Sequence, residues 1–595
     1  MVKKIVFSPQ LSKQYNINKM KKQILILLIL AMAMNINCQT KKVQTFPADK
    51  DTEFNSGSNI LFPELNEKVI NDLELLGKIW GFLKYHHPQI GKGNYNWDYE
   101  LFRILPIYLK ANDIQQRDKI LLNWIKKIGN IPTCKTCKET PPDAFLKPDF
   151  LWVENSNMSA YLKNKIKEIY TNRHQGEHFY IKMAPFVGNP EFLNEKSYSN
   201  MSYPDAGFRL LSLYRYWNMI NYFFPNTYMT DKNWADVLKE YIPVFISAEN
   251  RLEYELAAIQ IIGDINDTHA NLWGGREKID SLRGKYYAPF RVEFIEKQLV
   301  VTDYYNPELK ESAELEIGDV ITHINEKSVE AIVEEVKKYY PASNEAARLR
   351  DISANMLRSN NKSINIQYVS AEQKNQKELF LFEKDHLNIY HWYKVNENEK
   401  CYKLLNEDIG YVTLATIKKE DVSEIKELFK DTKGIIIDIR NYPSTFVPFT
   451  LGSFFVSRFT PFAKFTNGNI NNPGEFTFRK GDLIPRAKEA YRGKLVVLVN
   501  ENTQSQAEYT AMAFRAGKNT TIIGSTTAGA DGNVSTIFLP GGLRTMISGI
   551  GVYYPDGTET QRIGIVPDIY IEPTIDGIKN GRDELLEKAI EVIEK

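Results

Sequence analysis

Ser505 stands where a serine can act as a nucleophile. It falls within Glu501-Asn502-Thr503-Gln504-Ser505-Gln506-Ala507-Glu508, after an apolar run at 494–500 and before a helical stretch reaching about residue 515. The apolar run is of the buried-strand type. At a strand-to-helix turn the hydroxyl can project from the backbone, while the unpaired amides of the helix start, that of Gln506 first, can hold an oxyanion. That is the apparatus of acyl transfer. A serine there can also simply cap the helix, which is the commoner fate, and spacing alone favours the cap. To attack at neutral pH the hydroxyl needs a base, and eight histidines are available. His174 and His178, with Glu177, have helical metal-ligand spacing but no evident third ligand. His86-His87 has Phe223-Phe224 as its counterpart in an internal repeat and reads as packing. With neither a dinucleotide-type glycine fingerprint nor a P-loop in the sequence, no cofactor and no metal are expected.

The elements that must position Ser505 read as an α/β core over 373–595. A second buried-strand run, Gly-Ile-Ile-Ile-Asp-Ile-Arg at 434–440, follows a helical pattern at 422–430. Pro540-Gly541-Gly542 between β-prone runs reads as a hairpin turn, and Leu585, Leu586, Ala589, Ile590 and Ile593 mark an amphipathic terminal helix. Before this core, 285–372 is β-rich. Phe290, Val292 and Phe294 alternate, strands are expected at 299–302, 318–325 and 364–369, and a helix at 329–339. With Leu315-Glu316-Ile317-Gly318-Asp319-Val320-Ile321 at its centre, this order resembles a PDZ domain. The resemblance implies peptide binding by strand addition, with Tyr287-Ala288-Pro289-Phe290 as the carboxylate-binding loop.

Farther upstream the chain repeats itself. Leu73, Leu76, Trp80, Tyr85, Pro88, Trp97 and Pro106 recur at one constant offset as Leu210, Leu213, Trp217, Tyr222, Pro225, Trp234 and Pro243. Two related helical modules follow, 61–199 with an insertion from about 131, and 200–284. Residues 39–60 are polar and read as a linker.

Three segments, in order, carry a family resemblance. Asp438-Ile439-Arg440-Asn441-Tyr442-Pro443, the Ser505 segment, and Gly564-Ile565-Val566-Pro567-Asp568 resemble the motifs of the C-terminal processing and tricorn-type serine peptidases, serine peptidase family 41. That likeness implies a crotonase-like (ClpP-like) core of ββα units, with Ser505 as nucleophile. Many members carry a lysine base in Thr-x-Gly-Lys-Gly, but here the segment is Thr527-Ala528-Gly529-Ala530-Asp531-Gly532, with Ala530 in the lysine's place. Tricorn-like members pair a hydroxyl residue with a histidine base at the position of Thr268-His269. In the first module the position matching His269 is Pro132. The resemblance also implies a carboxylate that orients the base, Glu559 first and Glu508 as the alternative. Where members have Asn-Pro-Gly-Gly, this chain has Asn441-Tyr442-Pro443-Ser444-Thr445, so the second oxyanion amide falls to Ser444 or Thr445.

Lys and Arg total 75 against 74 Asp and Glu, which leaves no overall charge to attract nucleic acid. Lys21 and Lys22 precede an apolar run at 24–34 and then Cys38, the pattern of an exported chain whose leader occupies 1–38. Cys38 is the lipidation candidate and the one expected link to a membrane. Cys134 and Cys137 read as a small structural disulfide. Together these features predict a multidomain α/β protein of periplasmic or surface location that cleaves polypeptides. The alternative is a catalytically inactive peptide- or small-ligand-binding protein on the same core.

Overall fold

A computed structural model describes residues 45–389 and 399–595. The expected leader with Cys38, and the start of the expected linker, lie outside the described residues. Residues 51–595 group as one body.

The helical part opens with α1 (Glu67–His86), capped by the Asn66 side chain on the Val69 amide, and α2 (Trp97–Tyr108). Their repeats are α3 (Ala206–Phe223) and α4 (Trp234–Ser247), followed by α5 (Arg251–Gly263). Helix α1 gives way at His87-Pro88 and α3 at Phe224-Pro225, as a ring without an N–H requires. The repeated tryptophans explain themselves. Trp80 Nε1 donates to Trp97 O (3.0 Å) and Trp97 Nε1 to Trp80 O (2.9 Å). Trp217 and Trp234 exchange the same two bonds, at 2.8 and 3.1 Å. A buried indole needs an acceptor, and each pair satisfies both rings while pinning two helices. The modules then pack on each other closely enough that a Cβ on Gly81 would sit 1.8 Å from Asn218 Oδ1. Within this contact Lys84, Glu195, Arg215 and Asp98 form a buried ion network. Glu195 comes from the insertion, so the network ties all three segments together. Cys134 and Cys137 are disulfide-bonded.

Residues 51–60, expected as linker, are in part tied down. Ser58 donates through its amide and hydroxyl to Asp205, at 2.7 and 2.5 Å, and Asp205 in turn caps α3. A polar composition here marks specific bonding rather than a free spacer.

The middle sheet contains β1 (Phe290–Ile295), β2 (Gln298–Tyr304) and β3 (Val320–Ile324), then helices α6 (Val329–Val336) and α7 (Glu345–Met356), then β4 (Ser363–Ser370) and β5 (Gln373–Phe380). Strand order is β1-β2-β3-β4-β5, all antiparallel. The expected boundary at 372 cuts through the β4–β5 hairpin, which pairs from Ser363↔Phe380 to Ser370↔Gln373. Residues 373–380 therefore belong to this sheet and not to the core that follows. Strand β1 lies at one edge, and α7 packs against it.

In the core, β6 (Tyr402–Asn406), β7 (Ile409–Thr413), helix α8 (Asp421–Phe429) and β8 (Gly434–Asp438) precede a hairpin of β9 (Thr460–Gly468) and β10 (Phe476–Ile484). Then come β11 (Lys494–Val499), α9 (Gln506–Arg515), β12 (Thr520–Gly524), and a second hairpin of β13 (Val534–Leu539) and β14 (Leu543–Ser548). Short strands β15 (Val552–Tyr553) and β16 (Ile569–Tyr570) precede α10 (Glu584–Glu594). The main sheet runs β6-β7-β8-β11-β12-β16, parallel except for β6. The central runs of β8 and β11 are almost wholly apolar because both faces are covered. Ile435, Ile437, Leu495 and Val497 pack on one side with Ala511 and Phe514 of α9. Ile436, Val496 and Leu498 pack on the other with Leu585, Ala589 and Ile593 of α10.

Candidate active site

Strand β11 delivers Ser505 from the middle of the sheet. The intervening turn is held by Thr503, fully buried, whose hydroxyl accepts from the Asn500 amide (3.1 Å) and donates to Ile439 O (2.9 Å). This ties the end of β11 to the end of β8. Ser505 itself adopts φ 58°, ψ −119°. A helix-capping serine takes an extended backbone. A non-glycine residue held in this region costs ~1–3 kcal/mol and persists only where its surroundings over-determine it. Here the Ser505 amide donates to Ala530 O (2.9 Å) and the Glu508 carboxylate (3.2 Å). The Gln506 amide donates to no protein acceptor among the described residues and is open at the helix start.

Glu508 is completely buried and works as a clamp. Besides Ser505 N, it accepts from Thr527 Oγ1 (2.5 Å), Gly529 N (2.8 Å) and Ala530 N (3.0 Å). Burial pushes its carboxyl above the usual range, against the pull of those donors. The carboxylate thus holds the 527–530 loop beneath Ser505, and with its bonds so used it does not meet a histidine. Ala530, in the lysine's place, is buried.

His269 approaches from the turn after α5, also by way of this loop. Thr268 Oγ1 donates to Ala528 O (2.9 Å) and accepts from Ser343 N (2.9 Å), while Ser343 Oγ accepts from Thr268 N (2.8 Å). Thr268 therefore fastens the His269 turn to the 527–530 loop beneath Ser505 and does not bond the His269 side chain. The imidazole is buried, which pushes its pKa below the ordinary value although the charge of Asp267 opposes the shift. His269 Nδ1 lies 2.9 Å from Ser548 Oγ. Among the described residues no hydrogen bond joins His269 to Ser505; the 527–530 loop connects them.

The remaining expected residues fall as follows. Ser444 does not offer its amide, which donates to Leu414 O (3.0 Å), and its hydroxyl donates to Ile417 O (2.6 Å). Thr445, the next residue, has an amide with no protein acceptor among the described residues. Glu559 pairs across to Tyr553 and makes no bond to His269 or Thr268. Asp438 and Arg440 of the first motif pair at 2.6 Å, and Arg440 reaches Asp583 at the start of α10 (2.7 Å). These motif residues secure the strand end. Of the loop Tyr287-Ala288-Pro289-Phe290, the last three are buried, and Tyr287 lines a 540 Å³ cavity between β1, α7 and the turn after β11. Arg350 of α7 crosses that cavity to Glu501 O (2.8 Å) and Gln504 Oε1 (3.2 Å).

The description of peptidase family S41 matches residues 408–571, which contain the strand-end motif, the Ser505 turn and the 527–530 loop. A carboxy-terminal-processing protease of Bartonella bacilliformis is 27% identical over 191 residues, 30% of this chain and 42% of the relative. The matched part therefore spans less than half of that protein. Mature CPAF complexed with lactacystin has a similar fold at 13% identity and a TM-score of 0.50, covering 65% of this chain and 98% of CPAF. A CPAF mutant gives 14%, 0.52, 66% and 98%. The shared fold extends well beyond the S41 segment.

Proposed function

We propose that this chain is an exported serine endopeptidase that cleaves polypeptides. Ser505 Oγ attacks the scissile carbonyl, and His269 Nε2 takes its proton and later gives it to the leaving amine. The amides of Gln506 and Thr445 receive the oxyanion. The observation that carries this reading is the Ser505 backbone, at φ 58° beside an open helix-start amide, inside the segment that matches S41. Ser505 also stands at the N-cap with Glu508 reaching back to its amide, but an ordinary cap keeps an extended backbone. Burial keeps His269 neutral at neutral pH, as a base must be. Residues 285–380 act as a PDZ-like peptide-binding domain, a role supported by the edge strand β1 facing α7 across the cavity. Export, and lipidation of Cys38, rest on the leader pattern at 21–38.

The wild-type protein is expected to cleave unfolded polypeptides and to react with a fluorophosphonate. Ser505→Ala is expected to lose both, cleavage by at least ~10³-fold. The open Ser505–His269 contact favours a second reading, a binding protein on the same core. Equal behaviour of wild type and Ser505→Ala would establish that one instead.

A further inference from the structure

The carboxylate that serves His269 comes from its own turn. Asp267 is wholly buried and accepts from four donors: Ser548 N (2.6 Å), His269 N (3.0 Å), Ser548 Oγ (3.0 Å) and Gln561 Nε2 (3.3 Å). Its Oδ1 lies 3.8 Å from His269 Nδ1. A carboxylate so surrounded can only accept, so the single proton of the Ser548 hydroxyl points to Asp267. Ser548 Oγ, 2.9 Å from His269 Nδ1, must then accept from the ring. That fixes the tautomer: hydrogen on Nδ1, lone pair on Nε2.

We infer that Asp267, acting through Ser548, is the positioning residue of His269, and that neither Glu559 nor Glu508 fills this role. The inference rests on the reading of His269 as the base. Gln561, from the segment where a carboxylate was expected, contributes an amide that braces Asp267 instead. When Ser505 forms its bond to the carbonyl carbon, its proton moves to Nε2, and the charge on the imidazolium is met by the Asp267 carboxylate. As the tetrahedral adduct collapses, the C–N bond breaks and the proton leaves Nε2 for the departing amine. The positive charge exists only between those two events, so Asp267 stabilises the transition state more than the resting enzyme. Its location is also informative. Asp267 and His269 belong to the second helical module, whereas Ser548 ends β14 of the core, so the relay closes only when the two parts are docked.

The test uses the full chain, with steady-state cleavage and fluorophosphonate labelling followed against pH. Asp267→Asn is expected to lower kcat by ~10²- to 10⁴-fold with little change in KM, and to move the acid limb to lower pH, because it removes the charge that raises the His269 pKa. Ser548→Ala keeps that charge and loses the bridge, so kcat falls ~10-fold or more while the acid limb stays near its wild-type place. Glu559→Gln is expected to leave the acid limb where it is. A loss that was merely structural would not move the limb. A Glu559→Gln shift of the limb, or Asp267→Asn with wild-type kcat and limb, overturns the inference. Should Asp267→Asn fail to fold, Ser548→Ala decides: kcat within twofold of wild type overturns it. Ser505-dependent cleavage that ignores Asp267 and Ser548 refutes the relay alone. Absence of Ser505-dependent cleavage in the wild type refutes the peptidase reading and the relay with it.

Discussion

Replacing Glu508 by glutamine asks whether a charge or only a shape holds the loop beneath Ser505. The oxygen Oε2 faces two backbone amides, Ser505 N and Ala530 N, and Oε1 faces Gly529 N and the Thr527 hydroxyl. In Glu508→Gln the remaining oxygen is best spent on the Oε2 site, which puts the new NH₂ at 2.8 Å from the Gly529 amide. Thr527 Oγ1, which accepts from Ile565 N (2.8 Å), can accept from that group with its second lone pair, but its own proton then loses the Oε1 acceptor and the Gly529 amide gains none. One buried amide is thus left opposite another donor, at ~1–3 kcal/mol. Relief from burying a charge offsets part of this, so a net loss of ~1–2 kcal/mol is expected. Glu508→Ala orphans both Gly529 N and Ala530 N and opens a void, which raises the cost to ~3–5 kcal/mol. The assays are the midpoint of urea unfolding and the second-order rate of fluorophosphonate labelling. Labelling is expected to fall ~10- to 100-fold in Glu508→Gln, since Ala530 O no longer sits squarely under the Ser505 amide. Wild-type stability and labelling in Glu508→Gln would refute the argument. The native carboxyl would then carry a proton on Oε1, and the loop would be held without a charge.

Two further outcomes concern buried titrating groups. Burial, reinforced by the charge of Glu508, raises the Asp531 pKa well above normal, so the folded state binds more protons than the unfolded chain as pH rises past the ordinary carboxylate range. Asp531 therefore weakens the protein increasingly toward neutral pH, and Asp531→Asn is expected to gain stability over wild type at pH 7 and to lose that advantage below pH 4, as measured by thermal unfolding across pH. Burial lowers His86 and His178 to about 3 and His87 to about 4, so between those values and the unfolded value of 6.5 the unfolded chain holds the extra protons. Stability contributed by these three groups is complete above that window and drains away as pH falls, with a slope of ~4 kcal/mol per pH unit, and His86→Gln is expected to flatten the measured slope by about a third.

What the sequence made legible followed from burial on both sides. The strands β8 and β11 are uninterrupted apolar runs because α9 and α10 cover their two faces. The duplicated tryptophans were visible because a paired indole tolerates no substitute. Two elements were silent for the opposite reason. Helix α7 buries only Ala347, Ile352 and Ser353 along its length, too small and polar a stripe to announce itself. Strand β5, Gln-Lys-Asn-Gln-Lys-Glu-Leu-Phe, buries only Leu379, so it reads as loop, and the domain boundary was set on its wrong side. At the site, local pattern marked only a strand-to-helix turn at Ser505 and Gln506; the nucleophile reading, and Thr268 and His269, came from the family resemblance. The engagement of the Ser444 amide depends on where the chain turns after β8. The Asp267–Ser548 contact joins residues 281 positions apart, and its one sequence signal was that Asp267 stands two residues before His269.

The loop at 527–530 meets the His269 turn through Ala528 and Ser505 through Ala530. A ribosome makes the chain from its amino end, so the segment with His269 is finished long before this loop exists. Nascent or truncated chains that stop short of residue 505 hold His269 without Ser505, and the proposed chemistry starts only after the last third of the molecule has folded onto the middle third that carries His269. The proposed chemistry is thereby scheduled by the order of synthesis.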